Sequence, residues 1–206
     1  MLNQCRKPSG WLGRFVLWQM NQRHSGVTDW GLSHISVDSR KAILDVGCGG
    51  GRTVNKLAAL APERKVVGVD FSSASIAAAT KYNAALIAAG RVEIVNASVS
   101  QLPFSSGAFD LVTAIETHFW WPNPGEDMKE VARVVRPGGA VIVIAEIYQG
   151  AKTKISEYAE KHLPLAGMKM LTVDEHRQLL ENAGFIDVCV STEPHKGWIC
   201  AIGTQA

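Results

Sequence analysis

From Lys41 onward, short runs of β-branched and aliphatic residues alternate with longer amphipathic stretches, and this alternation constrains the fold more than any other feature of the chain. Ala42 to Val46, Val66 to Val69, Val92 to Val95, Phe109 to Ile115 and Ala140 to Ala145 read as five strands. They are apolar almost throughout, as parallel strands are when helices cover both faces. Arg52 to Leu60, Ser73 to Ala89 and Met128 to Val135 fit the crossover helices. Pro137-Gly138-Gly139 is expected to end the third by removing a donor and supplying a left-handed turn. Thr172 and Glu175 have the spacing of a capping box at the start of a helix over Asp174 to Asn182, closed by Gly184. Phe185 to Ser191 and Trp198 to Gly203 flank a turn at Pro194 to Gly197, a separation short enough for antiparallel pairing. The expectation is an α/β fold: a seven-stranded, mostly parallel sheet with an antiparallel edge strand and helices on both faces.

At 206 residues and 47% hydrophobic content, the chain suits one substantial domain, stable without disulfide or metal staples. The most separable piece is residues 1–40, expected to form an N-terminal helical cap or lid on a domain spanning 41–206. Trp11, Phe15, Trp18 and Gln22 have helical spacing there, and their face either docks on the core or lines a substrate cavity. Cys5, Cys48, Cys189 and Cys200 are scattered, with no CxxC pair, so no metal site is expected. A net charge of +2 without a face-length basic run disfavours nucleic acid as a partner. No apolar run approaches a bilayer span and no signal segment is visible, so no membrane association and a cytoplasmic location are expected.

Asp45-Val46-Gly47-Cys48-Gly49-Gly50-Gly51 begins at the end of the first strand and opens into a helix, where open parallel sheets bind ligands. Alone, such a loop is compatible with a simple tight turn. Its register narrows the ligand. A dinucleotide fingerprint starting at Gly47 would need glycine at 52, where Arg52 stands, and no Lys-Ser or Lys-Thr follows for a triphosphate. Asp70 ends the second strand, where a carboxylate can accept from a ribose diol or cap the following helix.

These motifs, with Leu102-Pro103-Phe104, Gly107 to Val112 and Glu130 to Gly139 in the same order, resemble class I S-adenosylmethionine-dependent methyltransferases. The similarity is to the small-molecule branch with a type 11-like methyltransferase domain and covers roughly residues 40 to 203. The resemblance implies a Rossmann-like fold and S-adenosyl-L-methionine as cofactor, with S-adenosyl-L-homocysteine as product. It implies that Asp45, Gly47, Cys48, Gly49 and Gly51 contact the methionine part, that Asp70 holds the ribose and that Phe71 covers the adenine. Ser98 stands where the family commonly has an acidic residue for the adenine amine. A hydroxyl can accept there and the Val99 amide can donate, without the charge-assisted bond.

An acceptor would approach past the carboxyl ends of the fourth and fifth strands, which puts Glu116 to Trp121 beside the sulfonium, with Glu116 counted among the cofactor-binding residues. His118 is the candidate base, with His24, Glu146 and Tyr148 as rivals; equally, His118 is a hydrogen-bonded loop residue. Trp120 and Trp121 are substrate candidates or core residues, and at most one of the two would face an acceptor. By resemblance only, Asn21, His24, Ser25 and Trp30 are lid candidates. The reading is methyl transfer to a small-molecule acceptor by a monomer or homodimer. The alternatives are an oxidoreductase with an adenosine cofactor of the NAD type, or a non-catalytic partner subunit of the same fold.

Overall fold

The structure is a computed structural model that describes residues 25–37 and 42–206. The expected cap residues Trp11, Phe15, Trp18, Asn21, Gln22 and His24, and Cys5, lie outside the described residues. Helix α1 (Ser25–Leu32) opens the described chain. The elements then run β1 (Ala42–Val46), α2 (Arg52–Leu60), β2 (Lys65–Asp70), α3 (Ser73–Tyr82), α4 (Ala84–Ala88), β3 (Val92–Asn96) and β4 (Phe109–Ile115). A 3-10 turn (His118–Trp120) leads to α5 (Pro124–Val134), β5 (Val135–Ala145), α6 (Lys154–His162), α7 (Val173–Glu181), β6 (Phe185–Glu193) and β7 (Trp198–Gln205).

The seven strands form one sheet in the order β3-β2-β1-β4-β5-β7-β6. All neighbours are parallel except β5 with β7 and β7 with β6. Successive side chains point to opposite faces, so each central strand feeds two cores. Leu44, Val112 and Val143 join a cluster on one face. Ile43, Leu111 and Ile142 join the other, where α1 also packs through Val27 and Leu32. Gly31 lets α1 lie this close, because a Cβ there would collide with Ile144 Cδ1. Among the described residues, no helix is long and apolar enough to cross a membrane.

Three local expectations change. Helix α5 ends at Val134 before reaching Pro137-Gly138-Gly139, which instead forms an irregularity within β5. Pairing passes from Phe109–Val135 to Leu111–Ala140, and the chain between them is taken up where Gly138 has φ 73°. The helix expected over Ser73 to Ala89 breaks at Asn83, whose side-chain amide donates to Gly51 O at 2.9 Å and Ala79 O at 3.0 Å. Helix α6 is unforeseen. Its start is fixed by Thr153, whose hydroxyl accepts from the Ser156 amide at 3.1 Å. The capping box at Thr172 and Glu175 is present as expected.

Candidate functional site

The strand order reverses between β1 and β4, so the loop after β1 and the turn after β4 face each other across the crevice that an open parallel sheet leaves at such a point. Gly47, Gly49 and Gly51 have φ of 74°, 52° and 79°, a left-handed conformation that disfavours any side chain. Space restricts two of them as well. A Cβ on Gly47 would collide with Thr117 Oγ1, and one on Gly51 would lie 2.6 Å from Asn83 Nδ2.

Backbone hydrogen bonds fold this loop onto the tip of β2. The Gly47 and Cys48 amides both donate to Val69 O, at 2.8 and 2.9 Å. The Gly49 amide donates to Asp70 Oδ2 at 3.0 Å and the Ser72 amide to Asp70 Oδ1 at 2.8 Å. Asp70, which the Ser75 side chain also hydrogen-bonds, therefore fixes the loop and the start of α3 together. Because Asp70 pairs with Asn96 across β2 and β3, and its carbonyl accepts from the Ala97 amide, the residues that follow Asp70 and those that follow Asn96 share one rim. That rim carries Phe71, 49% exposed, along with exposed Ser98 and buried Val99. The Ser98 hydroxyl accepts from the Ser100 amide at 3.2 Å.

The loop is also a concentration of desolvated carboxyl groups. Asp45 is 2% exposed and takes a 2.6 Å hydrogen bond from Thr113 Oγ1 on the adjacent strand. Burial pushes its carboxyl up to about 7; the Thr113 hydroxyl works against that shift, and the charge of Asp70 adds to it. Burial also raises Asp70, opposed by the Ser72 and Gly49 amides. Burial first, and then the two aspartates, hold the Cys48 thiol well above its ordinary value, so it stays protonated and unreactive.

Glu116 closes the crevice from the β4 side. Its φ of 58° is costly for a residue with a side chain, and it is held by two bonds to β5: its amide donates to Ile144 O at 2.9 Å, and its carboxylate accepts from the Glu146 amide. A cavity of about 390 Å³ adjoins these groups. Gly47 to Gly50, Ile115 and Glu116 form one end; Ser25 and Thr28 of α1 and Arg52 and Lys56 of α2 continue it.

Not every candidate faces this space. His118 is 1% exposed, and its Nε2 lies 2.9 Å from Nε2 of His176 on α7. Burial first, and His176 second, hold its pKa well below the ordinary value. The base role offered by the sequence does not fit a ring so enclosed. Trp121, 4% exposed, belongs to the core, where Met128 and Val131 also pack, which removes it as an acceptor contact. Trp120 and Tyr148 are partly buried against a smaller cluster containing Phe119 and Ile147, and Glu146 is partly buried at the end of β5. Among the described residues, no His, Cys, Asp or Glu cluster could hold a metal. Sequence reasoning missed Thr113, Lys56 and His176. Of these only Thr113 left a signal, a lone hydroxyl between Val112 and Ala114 in a strand of apolar residues.

A family model described as a methyltransferase domain matches residues 44–143. An O-methyltransferase of Pyrenophora dematioidea is 28% identical over 161 residues, covering 78% of this chain and 60% of its own. The O-methyltransferase rstn1 of Aspergillus nomiae is 31% identical over 144 residues, covering 69% and 63%. This chain thus spans less than two thirds of the length of these relatives. In structure, human N-acetylserotonin methyltransferase in complex with S-adenosylmethionine superposes with a TM-score of 0.78 at 15% identity, over 93% of this chain and 55% of the human one. With the glycine loop, Asp70 and the strand order in agreement, residues 44–143 carry a methyltransferase domain of the class I S-adenosylmethionine-dependent family.

Proposed function

We propose that this chain transfers a methyl group from S-adenosylmethionine to a small-molecule acceptor. The observation that carries the reading is the set of carboxyl groups at the glycine loop: Glu116 lines the cavity beside Gly47 to Gly50, and Asp45 and Asp70 are buried on the two strands that hold the loop. S-adenosylmethionine has a sulfonium and an ammonium against one carboxylate, so its positive charge relieves desolvated carboxyls. A pyrophosphate cofactor would add negative charge to the same place. The residues present therefore fit the family's cofactor.

In this reading Asp45 and the Gly47 to Gly51 loop, Cys48 included, hold the amino-acid part. Asp70 accepts from the ribose hydroxyls, each such bond being worth roughly 1.5 to 3 kcal/mol. Phe71 covers the adenine, whose edge meets Ser98 and the Val99 amide. Bound there, the cofactor supplies an electrophilic methyl group. Glu116, fixed by its two bonds to β5, shapes the side from which the acceptor comes, with Glu146, Tyr148 and Trp120 further along the rim. The protein's main contribution is alignment, worth up to roughly 7 to 11 kcal/mol. With His118 enclosed, a proton released by a hydroxyl or amine acceptor goes to Glu116, Glu146 or water.

Isothermal titration tests the cofactor, with S-adenosylhomocysteine expected to bind and NADH not to bind. Binding of NADH alone would overturn the reading. A screen of small-molecule acceptors with methyl-labelled cofactor tests the transfer, and inactivity of a cofactor-binding protein toward metabolites, proteins and RNA alike would favour a non-catalytic subunit.

A further inference from the structure

The two ends of the cavity differ in charge. Glu116 stands at the glycine-loop end, whereas Arg52 and Lys56, one helical turn apart on α2, line its continuation. Past Lys56 the wall turns apolar, with Leu60 and Tyr82 lining the cavity while 44% and 54% exposed. Lys56 is ion-paired to Asp29 of α1, an aspartate whose side chain is 58% exposed, and a pair of that kind contributes little. Desolvation by partial burial lowers the Lys56 pKa.

We propose that the outer end of this cavity binds the carboxylate of an amphipathic small molecule, a ligand separate from the methyl acceptor at the β4–β5 rim, with Lys56 as its ionic partner and Leu60 and Tyr82 against its apolar body. The inference rests on the cofactor reading, which fills the glycine-loop end with the amino-acid part of S-adenosylmethionine and leaves the Lys56 end for a further ligand. A carboxylate entering from the cavity displaces Asp29 from Lys56. It does so in a less hydrated setting, where a charge-assisted bond is stronger than at the surface.

Isothermal titration with 4-phenylbutanoate and its uncharged counterpart 4-phenylbutanamide, with and without saturating S-adenosylhomocysteine, tests this. The carboxylate is expected to bind about tenfold more tightly than the amide, the worth of one charge-assisted hydrogen bond. Lys56→Met should bring the two within about twofold while leaving the S-adenosylhomocysteine affinity unchanged, and Asp29→Asn should strengthen carboxylate binding by roughly threefold, by releasing Lys56. Equal binding of acid and amide to the unaltered protein, or a preference that survives Lys56→Met, overturns the proposal. So does a loss of S-adenosylhomocysteine affinity in Lys56→Met, which would give this lysine to the cofactor's own carboxylate. Failure of S-adenosylhomocysteine to bind the unaltered protein removes the cofactor reading, whereas the titrations without it still report any anion preference.

Discussion

The buried pair His118 and His176 makes stability depend on pH in a way that can be worked out from the hydrogen bonds. His176 Nδ1 is 2.7 Å from the carbonyl of Thr172, which can only accept, so this nitrogen holds the proton and the neutral ring has its lone pair at Nε2. The proton in the 2.9 Å contact then belongs to His118 Nε2, which leaves His118 Nδ1 as a buried acceptor without a hydrogen-bond partner. A proton added to His118 creates an enclosed, unpaired charge, and one added to His176 sets two N–H groups against each other. Both pKa values are accordingly lowered. For His118 the causes are burial and then His176; for His176 burial outweighs the opposing Thr172 carbonyl and the Glu175 carboxylate. Above the unfolded value of 6.5 neither state holds the extra protons and the pair costs nothing. Below it the unfolded chain binds protons that the folded protein refuses, and stability falls with pH until the folded pKa values are reached. One such group gives a slope of about 1.4 kcal/mol per pH unit and two give about 2.7. Urea unfolding of the wild type and of the His118→Leu/His176→Leu variant between pH 5 and 7.5 measures this. The stability difference should be flat above pH 6.5 and move in the variant's favour by about 1.4 to 2.7 kcal/mol per unit below it. Asp45, whose raised pKa acts with the opposite sign, is common to both proteins and cancels. A difference independent of pH would refute the reasoning.

Other substitutions test the loop. Gly47→Ala should cost roughly 2 kcal/mol or more in thermal unfolding, because it combines a left-handed φ with a collision against Thr117, and Thr117→Ala should restore part of the loss. Thr113→Val removes the hydroxyl that holds the Asp45 carboxyl down, so carboxyl NMR should show its titration above the wild-type value of about 7, with weaker S-adenosylhomocysteine binding at neutral pH. In the wild type, the same affinity should rise from pH 6 to 8 as Asp45 ionises, and a flat profile would separate Asp45 from cofactor binding. Asp70→Asn should weaken S-adenosylhomocysteine binding by about tenfold in isothermal titration; unchanged affinity would assign Asp70 only to fixing Gly49 and Ser72.

The central strands were legible because a parallel strand buried on both faces has to be a continuous apolar run, and Ala42 to Val46 and Phe109 to Ile115 match to the residue. The site's backbone was legible for a related reason, since left-handed positions select glycine. What stayed hidden depends on contacts distant in sequence. Nothing near His118 announces that its ring meets His176, 58 residues away, and nothing near Lys56 announces Asp29. Helix α6 escaped notice because its sequence, Lys154-Ile155-Ser156-Glu157-Tyr158, leaves Ile155 and Tyr158 exposed, so it has no clean apolar face. Pro137-Gly138-Gly139 was misplaced because the same residues serve a helix end or a strand irregularity, and the pairing of β4 with β5 decides between them.

The position of β7 bears on how the protein is made. Strand β7 lies between β5 and β6 although it follows both in the chain, so the outer edge of β5 has no partner until Trp198 to Gln205 has left the ribosome. Until then β5, which runs without a charge from Ala140 to Ala145, presents open amides and carbonyls to any other nascent chain. Pairing with β7 closes this edge, so a pause in translation between Ala145 and Trp198 prolongs the time for which β5 is open to aggregation.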